Sequence, residues 1–171
     1  RVGISVATLD PHLARTMEPR VPHPKRRLQT IQRLTQAGCP VHVMVSTVVP
    51  ALTDHELEQI LAAAKDAGAV AASSILLRLP REVAPLFQEW LTQNVPNRAA
   101  RVMARVRELH GGQDYDPTWG KRLRGEGPFA ELFAHRSKIA TRRLGLLRTP
   151  PSLRTDLFGV PQKVGDQMQL F

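Results

Sequence analysis

Hydroxyls and charges interrupt or end apolar runs at three places in this sequence. Ser5, Thr8 and Asp10 close the run that begins at Val2, Ser46 and Thr47 lie near the end of Val41 to Val49, and Ser73, Ser74 and Arg78 fall between Ala69 and Leu79. A hydroxyl removed from water costs stability unless it is hydrogen-bonded. Ser5 and the Ser46-Thr47 pair are therefore either ligand contacts or partners of nearby backbone. Met17-Glu18-Pro19-Arg20 adds a charged element beside a proline. Arg20 there suits bidentate capture of a carboxylate or phosphate. A local ion pair between Glu18 and Arg20 is the plainer alternative. Arg78, just before Pro80, is expected on the third run, either pointing into the ligand face or pairing with Glu82.

Other chemistries find no support. Cys39 is the only cysteine, whereas thiolate sites for zinc or iron–sulfur clusters need three or four such ligands. Lying between Gly38 and Pro40, it is expected as a small buried apolar residue. His12, His23, His42, His55, His110 and His135 show no metal-ligand spacing. No Gly-rich phosphate loop and no GxSxG elbow occurs.

The elements that must position these residues alternate. The apolar runs 2–8, 41–49 and 69–79 read as strands. Pro24 to Ala37, with Leu28, Ile31 and Leu34 at helical spacing, reads as a helix stopped at Gly38. Thr53-Asp-His-Glu56 is expected to be a capping box ahead of the stripe Leu57, Ile60, Leu61 and Ala64. Val83, Leu86, Phe87, Trp90 and Leu91 mark a further amphipathic helix. The order β-α-β-α-β-α implies a parallel sheet covered by helices, within a larger sheet or a partial (β/α) barrel. Ligands in such folds bind at the C-terminal ends of the strands. Residues 1–96 form this unit. Residues 97–171 form a helical and irregular basic extension packed on it, with helices at Pro96 to Leu109 and Phe129 to Leu147. Leu153, Leu157, Phe158, Leu170 and Phe171 suggest that the Pro-rich tail packs on something. Because the chain opens inside an apolar run, further strands are expected upstream as its partner.

The net charge is +9. The stretch 98–154 holds 13 basic residues and five acidic ones, which suits an anionic partner such as nucleic acid or a phosphorylated substrate. No apolar run is long enough to span a bilayer and no leader is evident, so no membrane contact and a cytoplasmic location are expected.

An ordered set of segments resembles the radical S-adenosylmethionine (radical SAM) proteins, in the branch similar to spore photoproduct lyases. The set comprises Ser5-Val-Ala-Thr-Leu-Asp10, Met17-Glu-Pro-Arg20, Ala37-Gly-Cys-Pro40, Val43-Met-Val45, Pro50, Asp54-His-Glu56 and Leu76-Leu-Arg-Leu-Pro80. Phe87-Gln-Glu-Trp90, Gly111-Gly-Gln-Asp-Tyr115, Arg122-Leu-Arg-Gly125 and Gln167 to Phe171 continue it.

The resemblance implies an α/β fold, the last three strand–helix units of a partial (β/α)₆ barrel. It implies S-adenosylmethionine and a [4Fe–4S] cluster as cofactors, with radical chemistry and damaged DNA as a candidate substrate of the parent protein. Ser5 then matches a polar position on the fourth barrel strand that contacts the methionyl or ribose part of the cofactor, and Thr8 is a further cofactor contact. Ser46 and Thr47 match the fifth strand, beside adenine and ribose. Glu18, Arg20 and Arg78 become substrate or carboxylate contacts. The Cys-x3-Cys-x2-Cys loop that holds the cluster in this family is absent here, so this chain is expected to supply SAM and substrate contacts and no metal ligands. The alternatives are a non-catalytic basic nucleic-acid-binding module and another β/α enzyme acting on a phosphorylated substrate.

Overall fold

A computed structural model describes residues 1–153, 156 and 158–161. Three strands, β1 (Val2–Ser5), β2 (Val41–Val48) and β3 (Ala71–Leu76), form one parallel sheet in the order β1-β2-β3. Between them run α1 (Pro11–Met17), α2 (Pro24–Gln36) and α3 (Leu57–Asp66). After β3 come α4 (Val83–Asn94), α5 (Pro96–Leu109) and α6 (Gly127–Arg143). Both crossovers step in the same direction. With the right-handed connection that parallel strands require, α2 and α3 fall on one face of the sheet.

Burial along β2 records this one-sided winding. Val41, Val43 and Val45 are 0–1% exposed and pack with Ile31 of α2 and Leu57, Ile60 and Leu61 of α3. Each such side chain contributes roughly 1.5–3 kcal/mol. The alternate residues His42, Met44 and Ser46 are only half-buried. The register aligns Gly3 with His42, Ser5 and Ser73 with Met44, and Ile75 with Ser46. The second face, which carries Met44 and Ile75 among glycine, serine and histidine, is left open by the helices. Gly3 suits this face, since a Cβ there would press on the Met44 methyl at 3.3 Å.

A second apolar cluster lies beyond the C-terminal ends of the strands. Val49 and Leu52 after β2, and Leu77 and Leu79 after β3, pack with Leu13 of α1, Leu91 of α4 and Val102 and Val106 of α5. Helix α5 follows the expected bounds and buries Val102, Val106 and Leu109. It packs against both α4 and α6, and Phe133 and Ala140 of α6 join the main core.

Several expectations are corrected. Between β1 and the Glu18–Arg20 turn lies a helix that periodicity did not mark, α1, capped by Asp10, whose carboxylate accepts from the His12 and Leu13 amides. Thr53 and Glu56 form no capping box. Thr53 Oγ1 accepts from the Val49 amide, Glu56 bonds to the β1–α1 segment, and Asp54–Glu56 make a short 3₁₀ turn before α3. On α4 the buried residue is Leu91. Phe87 and Trp90 stack with ring centroids 5.7 Å apart, while Val83 and Leu86 are exposed. Helix α6 ends at Arg143, which frees Leu147 to pair with Ala71 at the β3 edge. Cys39 is half-buried in the turn before β2. Leu153 and Phe158 are exposed among the described residues; Leu157, Leu170, Phe171 and the Gln167–Phe171 segment lie outside the described residues.

Candidate functional site at the strand ends

The C-terminal end of β1 is organised by Arg27. This residue falls on α2 one turn before Ile31, on the helix's buried stripe, and is 8% exposed. Its Nε donates to the Pro22 carbonyl at 3.1 Å, its Nη1 to both the carbonyl and the hydroxyl of Ser5 at 2.7 Å, and its Nη2 to Glu18 at 2.9 Å. In β1 the amides of Val2 and Val6 face β2. The alternating pattern turns the Ser5 carbonyl toward the free sheet edge. Arg27 caps that edge carbonyl, as a neighbouring strand would otherwise do.

The next turn is held by Glu56, 6% exposed. Its Oε1 accepts the Thr8 hydroxyl at 2.7 Å and its Oε2 accepts the Leu9 amide. Thr8 Oγ1 in turn accepts from the Asp10 amide at 3.0 Å. A buried chain of polar contacts thus links the β2–α3 segment to the loop that starts α1.

The residues singled out from sequence divide into two groups. Ser5, Thr8 and Glu18 converge at the end of β1, but each is engaged by Arg27 or Glu56. Ser46 and Thr47 lie at the end of β2, joined by a cis peptide, where the pairing to β3 shifts register. Their hydroxyls have no hydrogen-bond partner among the described residues. Arg20 is exposed and does not pair with Glu18, whose partner is Arg27. Arg78 lies past the end of β3, exposed, and makes no pair with Glu82 among the described residues. His42 on the open face has an unpartnered buried Nε2. Burial, and then the positive charge of Arg1, push its pKa below the ordinary histidine value.

Sequence reasoning missed a groove at this end of the sheet. Two adjoining hollows of about 570 and 330 Å³ share His55 and Arg98. Asp10, His12 and Glu56 line the larger, and Asp54 and Arg101 the smaller. Arg136 of α6 braces the rim, bonding the Asp54 carbonyl at 3.0 Å and the Glu58 carboxylate at 2.7 and 2.9 Å. That hydrogen bonding holds the Glu58 carboxyl below its ordinary value of 4.5. A lowered folded value means that the pair's stabilisation is complete above the unfolded carboxylate range and is lost as pH falls through the folded one. Urea unfolding from about pH 6 to about pH 3 is expected to show an acid-side loss of stability that Arg136→Ala diminishes. Raised salt is expected to diminish it too, because the pair is partly solvated.

Among the described residues no group of three or more His, Cys, Asp or Glu could hold a metal ion. Cys39 precedes β2 and so stands at the opposite end of the sheet from the groove. No helix of the described residues is long and apolar enough to cross a membrane. The chain is 36% identical over 118 residues to uncharacterized proteins of Mycobacterium tuberculosis and Mycobacterium bovis, a match that covers 68% of this chain. It spans 34% of the length of those relatives. No family model matches the sequence, and no solved structure matches it.

Proposed function

We propose that this chain is the late-strand part of a radical SAM protein, contributing cofactor and substrate contacts to a larger barrel. The observation that carries the reading is the parallel sheet in sequential order, wound on one side only, with Ser5, Met44, Ser46, Ser73 and Ile75 on its open face. Parallel sheets bury both faces, and a barrel interior is the usual cover for the inner one. When bound beside a cluster, S-adenosylmethionine supplies a 5′-deoxyadenosyl radical that removes hydrogen from a substrate.

The residues of this chain do not fit the cluster itself. Cys39 lies at the wrong end, so in this reading the thiolates come from outside the chain. Toward the cofactor, Ser46 and Thr47 offer free hydroxyls at the strand end, suited to ribose or adenine. Ser5 and Thr8 take the supporting role, since Arg27 and Glu56 already hold them. Arg20 and Arg78, both exposed, stand as candidate contacts for substrate carboxylate.

Methyl NMR of the chain tests this. Added S-adenosylmethionine is expected to shift the Met44 and Ile75 methyl signals saturably, and the combined Ser46→Ala and Thr47→Val change is expected to weaken that binding about tenfold. Absence of any saturable shift on the open face would sink the proposal.

A second reading, a basic module that contacts nucleic acid, draws on Trp119. This side chain is 82% exposed with the Arg122 guanidinium 4.5 Å over its ring, beside Lys121 and Arg124. An exposed ring flanked by cations suits stacking on an unpaired base.

A further inference from the structure

We infer that the groove at the strand ends is a phosphoryl-binding site, with Arg98 and Arg101 as its anchoring residues. The inference rests on the placement of charge in the groove and on the strand-end rule, and so stands apart from the radical SAM reading.

Three carboxylates and four basic side chains line the two hollows. The carboxylates are all committed. Asp10 caps α1 through the amides of His12 and Leu13 at 2.7 and 3.1 Å. Glu56 holds Thr8 and Leu9. Asp54 faces Arg136, whose Nη1 lies 3.8 Å from its Oδ2. By contrast, Arg98, Arg101, His12 and His55 have exposed side chains with no hydrogen-bond or ion-pair partner among the described residues. Asp10 and Glu56 keep their charge but turn it onto scaffold donors, Asp54 is offset by Arg136, and the two unpaired guanidiniums stand together at the smaller hollow, whose lining holds no carboxylate but Asp54.

Geometry adds to this. Arg98 and Arg101 are three residues apart on the first turns of α5 and so lie on one face, with Cβ atoms about 5–6 Å apart. Two guanidinium forks at that spacing can share the oxygens of one phosphoryl group. The floor between them and the strand ends is apolar, made by Leu13, Leu52 and Val95, and a low-dielectric wall strengthens the attraction of an anion to the cations beside it. The combined space accommodates more than a lone phosphate, so the phosphoryl group is one end of a larger ligand. Either a phosphorylated small molecule or the backbone of a nucleic acid supplies that chemistry.

The test uses the 171-residue chain and two probes, pyrophosphate and a short single-stranded oligonucleotide, titrated by calorimetry at low and at physiological salt. Pyrophosphate is expected to bind saturably, and R98E/R101E to weaken it more than tenfold. R26E/R33E on α2 changes the net charge equally but lies outside the groove, and it is expected to leave binding within twofold. Matching thermal melts of the variants exclude misfolding, and R98Q/R101Q replaces the reversal if its melt differs. Oligonucleotide binding that pyrophosphate displaces, and that R98E/R101E abolishes, identifies the phosphodiester as the source. Pyrophosphate binding without oligonucleotide binding identifies a small ligand. Equal losses in both double variants, or no saturable binding of either probe, would overturn the inference. No arm requires S-adenosylmethionine or a cluster, so failure here and failure of the proposed function are separable.

Discussion

Arg27→Ala is expected to lower the unfolding free energy by about 3 kcal/mol, the larger share of it from groups left behind rather than from the arginine itself. Four hydrogen bonds end on this one guanidinium. Removing it leaves the Glu18 carboxylate, 31% exposed at its side chain, without its cation. It also leaves the part-buried Ser5 and Pro22 carbonyls without that donor. In a chain of 171 residues such a loss lowers the melting temperature by roughly 6–12 °C. Arg27→Lys keeps the charge but not the planar fork that serves Ser5, Pro22 and Glu18 together, so it is expected to recover less than half of the loss. Thermal melts followed by circular dichroism decide the matter. A lysine variant as stable as the parent would show that charge alone is at work and that the fork is unnecessary.

Glu56→Ala is expected to cost about 2–3 kcal/mol, because it strands two donors at once, the Thr8 hydroxyl and the Leu9 amide. Thr8 is 2% exposed, so water replaces the lost acceptor poorly. Glu56→Gln is informative here. The two donors sit on opposite oxygens of the carboxylate, and an amide offers an acceptor on one side and a donor on the other. Glutamine can turn its oxygen to the Leu9 N–H and its N–H to the Thr8 oxygen, which accepts as well as donates, so a good part of the loss is expected to be recovered. Thr8→Val in the Glu56→Ala background should cost less than in the parent, with a coupling energy of about 1–2 kcal/mol. Strict additivity in this cycle would show that the Thr8–Glu56 contact is not a bond of consequence. The Glu56→Ala variant is also expected to weaken pyrophosphate in the groove, since Glu56 fixes the turn that carries Asp10 and His12.

Much of the scaffold is legible in the residues. Helix α5 runs over its expected span because Pro96 sits at its first turn and Val102, Val106 and Leu109 keep one helical face. The stripe Leu57, Ile60, Leu61 and Ala64 is buried as its spacing requires. What escaped detection depends on distant partners. Thr53 and Glu56 have the spacing of a capping box, yet Val49, Thr8 and Leu9 compete for them and win, because those donors would otherwise be buried unpaired. Helix α1 has only seven residues and buries only Leu13, too little for periodicity to register. Asp10-Pro11 was its available signal, a capping carboxylate followed by a proline in the first turn. Arg27 stands within a polar Lys-Arg-Arg string and reads as surface. The spacing of four to Ile31 was the one sign that it faces inward.

The groove was the hardest to foresee. Its walls come from the β1–α1 turn, the β2–α3 turn and the start of α5, segments that lie up to about ninety residues apart and are gathered only by the second apolar cluster. That cluster is itself partly readable, since Val49, Leu52, Leu77 and Leu79 continue apolar runs beyond the point where the strands end. The free edge of β1 is likewise invisible in sequence, because the guanidinium that caps Ser5 arrives from another element.

The winding of the sheet on one side should leave a rhythm in substitution tolerance. Along β2, changes at Val41, Val43 and Val45 strike the packed layer and are expected to be rejected for folding alone. At His42, Met44 and Ser46 the helices make no such demand, and most small or medium residues should fold equally well. A scan scored for folded protein would then rise and fall with a period of two. The same scan scored for ligand binding supplies a second record, and the positions where the two disagree mark contacts made by something other than this chain. Ser46 is the position where that disagreement is expected first.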